Sequence, residues 1–104
     1  MREAEIRKRC LQILNEAEWI CWHPSKVRFK QNDVFGIIDV LAVKGKQKKN
    51  IQLTTLANVS ARRRKILDFL RENKVELCVE IWAWDSKSKG FRKEKVNGKT
   101  VKEA

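Results

Sequence analysis

The chain is 104 residues long, enough for one compact domain with a modest core and too short to divide into two. Its 24 Lys and Arg against 13 Asp and Glu leave a formal charge of +11, which points to a polyanionic partner, nucleic acid first, with mere solubility or a ribosomal or membrane-surface neighbour as the plain alternative. No apolar run approaches the ~20 residues of a membrane span, and three scattered cysteines, Cys10, Cys21 and Cys78, without a C-x-x-C pair, leave no readable disulfide framework or zinc knuckle.

Residues 1–5 are charged and lack the apolar stretch of a secretory signal, so a cytoplasmic setting, nucleoid-associated or not, is expected. Residues 3–18 carry Ile6, Cys10, Ile13, Leu14 and Ala17 at helical spacing between charged positions, predicting an amphipathic helix over a core. Residues 19–22 read as a short strand, broken by His23-Pro24-Ser25 because proline cannot continue a ladder. After a basic stretch at 26–31, residues 35–43 are apolar on both faces, as in a central strand. A polar turn at 44–50 sends the next strand, 51–55, back antiparallel. From about Asn58 the period turns helical: Asn58 or Ser60 caps the start, Ile66, Leu67, Phe69 and Leu70 form the buried stripe, and residues 62–65 lie around the exposed side. Strand alternation returns at 76–84, residues 91–96 add a charged edge strand, and the tail from about 97 frays. Two helices flanking a mixed sheet bury the apolar stripes of every element, so the expected architecture is an α/β sandwich in one domain spanning 1–104.

Asp39 carries the most information, because an acid inside an apolar strand costs several kcal/mol to bury unless something compensates it. A metal ion, an arginine, or a place where strands splay would each do so. The hairpin brings Asp39 toward Gln52 and Thr54, which share one face of the following strand, and these oxygen-bearing side chains together can hold a hard divalent cation. The plain alternative is that Asp39 caps a backbone amide or pairs with Arg28, with Gln52 and Thr54 as ordinary strand residues.

The element order, with Gly36-Ile37-Ile38-Asp39, a hairpin and Gln52-Leu53-Thr54 on the next strand, resembles the PD-(D/E)XK nuclease superfamily, which includes restriction endonucleases and Holliday-junction resolvases. The resemblance covers roughly residues 3–84. It implies the superfamily's α-β-β-β-α-β core and a Mg²⁺- or Mn²⁺-dependent hydrolysis of phosphodiester bonds in DNA, branched or structured DNA included. On this likeness Asp39 is the acid that binds the metal, Gln52 stands where the second acid belongs and Thr54 where the lysine belongs. Glu5 matches the glutamate of the first helix, with Glu3 as fallback. Asp33-Val34-Phe35-Gly36 and the run from Asn58 to Ile66 are similar to small phage-type and resolvase-like members, which adds Asp33 to the metal set. Glutamine brings no charge and threonine cannot replace a lysine that stabilises the phosphate, so the motif is degenerate. In the superfamily the lysine migrates between elements, which leaves Lys26, Lys30 or Lys65 to supply it.

Three basic clusters flank Asp39 along the chain: Lys26, Arg28 and Lys30; Arg62, Arg63, Arg64 and Lys65; and the hairpin lysines 44, 46, 48 and 49. The first two are the expected nucleic-acid contacts, by phosphate binding that carries affinity without sequence information. DNA is the expected partner over RNA, and a homodimer suits duplex cleavage. Trp82 and Trp84 share a strand face and are read as core first and base-stacking groups second, while Trp19 and Trp22 have no stronger claim. His23, alone of its kind, leaves no histidine-pair chemistry within one chain, and a catalytically silent nucleic-acid-binding module on the same scaffold is the alternative function.

Overall fold

The computed structural model describes residues 3–23 and 35–97. A first helix, α1 (Glu3–Glu16), leads through a turn into β1 (Ile20–Trp22); β2 (Val40–Lys44) and β3 (Gln47–Thr55) form a hairpin. A short 3-10 turn (Leu56–Asn58) opens α2 (Val59–Asn73), followed by β4 (Val79–Asp85) and β5 (Gly90–Val96). The strands make one sheet in the order β1-β2-β3-β4-β5. Neighbours run antiparallel except β3 and β4, which are parallel, as a strand returning through a helical crossover must be.

The two helices lie on opposite faces because each strand divides its residues between them. Val40, Ala42, Ile51, Leu53, Trp82 and Trp84 pack with Ile6, Cys10 and Leu14 of α1. Val79, Ile81 and Val96 pack with Ile66 and Leu70 of α2, together with Ile37 and Ile38. Every residue of β4 is buried, as expected of a strand covered on both sides. The expected α/β architecture of two helices on a mixed sheet is therefore present, and Trp82 and Trp84 are core residues.

Several boundaries differ from the sequence pattern. The apolar run at 35–43 is a strand only from Val40; Phe35 and Gly36 have φ of 55° and 74°, left-handed values incompatible with an extended ladder. Ile37 and Ile38 are apolar because they fill the space under α2, with Ile38 making only an isolated bridge ahead of the strand. The hairpin is tighter than the polar run 44–50 suggested: Lys44 pairs with Gln47, leaving a two-residue turn with Gly45 at φ 58°. β4 starts at Val79, three residues later than the alternation. Helix α1 stops at Glu16, and a left-handed Glu18 (φ 68°) turns the chain so that the Trp19 amide reaches the Leu14 carbonyl at 2.9 Å. Ile13 is 42% exposed, because the buried stripe of α1 is the narrower row Ile6, Cys10 and Leu14. Among the described residues no helix is long and apolar enough to cross a membrane.

Candidate active site

Asp39 sits where the left-handed turn at 35–36 meets β2. Its backbone N–H donates to the Ile51 carbonyl at 2.8 Å, so the residue is docked against β3 before its side chain is considered. Since Val40 pairs with Ile51, Asp39 falls opposite Gln52. The carboxylate turns toward that neighbour: Oδ2 accepts a hydrogen bond from Gln52 Nε2 at 2.5 Å and another from the Leu53 N–H at 2.8 Å. The structure thus brings Asp39 and Gln52 together, thirteen residues apart in the chain. Part of the plainer reading is present too, since Asp39 does cap a backbone amide.

Strand parity puts Asp39, Gln52 and Thr54 on the α2 face, because the intervening Val40, Ile51 and Leu53 face α1. Gln52 is 1% exposed and Thr54 is 7% exposed. Gln52 Oε1 and Thr54 Oγ1 are buried without a hydrogen-bond partner among the described residues. An unsatisfied buried acceptor or hydroxyl costs about 1–3 kcal/mol, so two on neighbouring same-face positions of one strand are a concentration of unmet polarity that packing does not explain.

The basic residues of α2 have unequal fates. Arg63 is held in a two-pronged pair with Glu94 of β5, Nε to Oε2 at 2.5 Å and Nη2 to Oε1 at 2.7 Å. That bond raises the guanidinium above its ordinary value and holds the Glu94 carboxyl below its own. Glu94 pairs in register with Ile81, which pairs with Gln52, so Arg63 is anchored at the far end of the row that begins with Asp39. Arg62 is half-buried, and Arg64 and Lys65 are exposed. Lys65 reaches toward the turn before Asp39: a Cβ on Gly36 would stand 4.0 Å from Lys65 Cε. The Phe35 ring of the same turn lies 5.4 Å from the Phe69 ring of α2, a contact that joins the turn carrying the acid to the helix.

Glu5 and Glu3 are exposed in the first turn of α1, the helix that covers the opposite face of the sheet. The Lys44 ammonium donates to the Ala17 carbonyl at 2.7 Å and ties the end of β2 to the end of the α1 segment. Lys26, Arg28, Lys30 and Asp33 lie outside the described residues. The buried Cys10 is no nucleophile, because desolvation, with smaller contributions from Cys21, Asp39 and Glu80 against Lys93, pushes its thiol up to about 12.

Among the described residues no three His, Cys, Asp or Glu side chains converge on a metal-sized space. The oxygens on the Asp39 face are one carboxylate and two neutral oxygens, Gln52 Oε1 and Thr54 Oγ1, with Gln52 turning its nitrogen and not its oxygen to Asp39. By type they fit a hard cation, and the two neutral oxygens lack a partner among the described residues. Sequence reasoning passed over Trp22, which the register Trp22 to Leu41 places on the same face as Asp39 while its ring stays 51% exposed. The parity of a short edge strand was the signal that could have found it. No family model matches the chain, and neither a curated protein nor a solved structure matches it.

Proposed function

We propose that the chain is a metal-dependent endonuclease of the PD-(D/E)XK type with a degenerate motif, hydrolysing phosphodiester bonds in branched or otherwise structured DNA. The restriction-endonuclease-like identity of the core is part of the same reading, supported by the order α1, β1, β2, β3, α2, β4 and by the parallel β3–β4 pair. The observation that carries the proposal is the pair of buried oxygens without a partner among the described residues, Gln52 Oε1 and Thr54 Oγ1, on the face of the sheet that bears Asp39.

Asp39, and Gln52 with its amide turned oxygen-first, would hold Mg²⁺ or Mn²⁺, with Thr54 on the same face and Asp33 as the further acid of the superfamily pattern, whereas Glu5 sits on the opposite face of the sheet. A divalent cation there supplies charge against the scissile phosphate and acidity to an attacking water. The protein's own part is to orient that phosphate. Lys65, carried by α2 to the turn before Asp39, is the best placed described candidate for the missing motif lysine. Arg62, Arg64 and Lys65 contact the DNA backbone, joined by Lys26, Arg28 and Lys30, whereas Arg63 positions β5 through Glu94. A homodimer acting in the cytoplasm or at the nucleoid completes the reading.

A second reading has its own support. Asp39 Oδ2 already accepts two N–H groups, one of them the amide nitrogen of Gln52, and only one carboxylate is present among these three side chains. That arrangement suits a silent module that binds nucleic acid and needs no metal. The two readings separate when purified protein is incubated with branched, nicked and linear DNA in Mg²⁺ or Mn²⁺. The nuclease cleaves, and Asp39→Asn, which keeps an acceptor for the Leu53 amide but loses the charge, lowers the rate by roughly a hundredfold or more. Salt-sensitive binding without cleavage, unchanged in Asp39→Asn, leaves the silent module.

A further inference from the structure

Of the large apolar side chains left exposed among the described residues, Ile20, Trp22 and Val43 meet at one corner of the sheet, apart from Ile13, Leu56 and Val75. Ile20 is 72% exposed, Trp22 51% and Val43 46%. The register explains why they meet: Ile20 pairs with Val43 and Trp22 with Leu41, so all four project from the same face of β1 and β2. That face is the one α2 covers elsewhere, but α2 packs over Val79, Ile81 and Val96 at the opposite side of the sheet and shields only Leu41 of this group. Leu41 is two residues from Asp39 on β2, about 7 Å along the strand, so the patch abuts the candidate site. Its other border is basic, with exposed Lys48 paired to Val43 and exposed Lys46 in the adjoining turn.

We infer that Trp22, flanked by Ile20 and Val43, is a stacking platform for unpaired DNA bases entering the Asp39 site. The inference rests on the nucleic-acid reading above and deepens it by naming the substrate class. An exposed apolar edge strand is ordinarily a liability for self-association, and at this lysine-bordered corner of a chain with net charge +11 a polyanion is the better matched occupant than a second copy. A strand with unpaired bases matches both halves of the surface: π-faces meet the indole, and phosphates meet Lys46 and Lys48. An intact duplex offers only its phosphates, because its base faces are already stacked inside. The site is thus built for single-stranded segments such as flaps, gaps or junction arms, with the indole holding a base while the backbone passes Asp39.

Binding measured in EDTA keeps the test independent of cleavage. Fluorescein-labelled oligo(dT), oligo(rU) and a blunt DNA duplex serve as probes of the full chain, by anisotropy. Trp22→Ala should weaken oligo(dT) about tenfold or more while leaving the duplex unchanged, and Trp22→Phe should keep most of the affinity. Oligo(dT) should also quench the tryptophan emission of the wild-type chain far more than that of Trp22→Phe, since Trp82 and Trp84 are buried and Trp19 packs on the α1 side of the sheet. Retained oligo(dT) affinity in Trp22→Ala, an equal loss on duplex and single strand, or tighter binding of oligo(rU) overturns the platform and leaves the nucleic-acid reading standing. Absence of binding to every probe overturns both. Circular dichroism of the two variants separates a lost platform from a lost fold.

Discussion

Two oxygen atoms at Gln52 and Thr54 are buried and, among the described residues, unpartnered, while one carboxylate oxygen of Asp39 accepts two protein N–H groups. A strand that served only to fill the sheet could carry valine at position 54 and avoid the desolvation penalty of the hydroxyl. Thr54→Val should therefore raise stability by about 1 kcal/mol, read as roughly 4–8 °C in melting temperature. The same substitution should lower any cleavage rate, because it removes a group placed on the Asp39 face. A variant that melts lower than the parent would mean that the hydroxyl has a partner in the folded protein. Asp39 itself could be recognised from sequence because a charge in an apolar run is conspicuous. The direction of the Gln52 amide, nitrogen toward the acid, could not, since it depends on side-chain packing that leaves no trace in the pattern.

Helix α2 is held to the sheet in two different ways. Ile66 and Leu70 are buried against Ile81 and Val96, and Arg63 clasps Glu94 on β5. The Glu94 carboxyl lies below its ordinary value of 4.5, chiefly through the Arg63 hydrogen bond, so the pair adds stability above that pH and loses it as pH falls through the lowered value. Both side chains are 38% exposed, and solvent screening limits the effect to less than about 1 kcal/mol. Arg63→Ala should accordingly be less stable than the parent at neutral pH, with the gap closing in denaturant titrations carried out well below pH 4.5. A gap independent of pH would assign the loss to packing of the arginine stem. From sequence the residues 62–65 read as one basic run. Only the position of β5 beside β4 divides it into a structural arginine and free cations.

At the scale of the whole molecule, charge and shape act together. A net charge of +11 makes binding to any nucleic acid salt-dependent, with affinity falling linearly in log salt by about 0.7 to 0.9 per phosphate neutralised. Replacing Arg64 or Lys65 by alanine should reduce the magnitude of that slope by about 1, whereas Arg63→Ala should leave it nearly unchanged because Glu94 already neutralises the group. Equal slopes for all three variants would show that the α2 cations do not meet the phosphates. The uncovered corner at Ile20, Trp22 and Val43 belongs to this scale as well, since it exists only because α2 is too far across the sheet to reach β1.

Periodicity alone determined the two helices, the hairpin, the strand after α2 and the charged edge strand, since local alternation of apolar and polar residues reports which faces must be buried. Composition determined the polyanion-seeking charge, and one misplaced acid marked the position of interest. Tertiary structure decided the rest. It assigned residues 35–37 to a turn with left-handed backbone at Phe35 and Gly36, sent Trp82 and Trp84 inward and Trp22 outward, and set Gln52 against Asp39. These outcomes depend on register and on which face each helix covers, and both are set by contacts between residues distant in the chain, which no local pattern encodes.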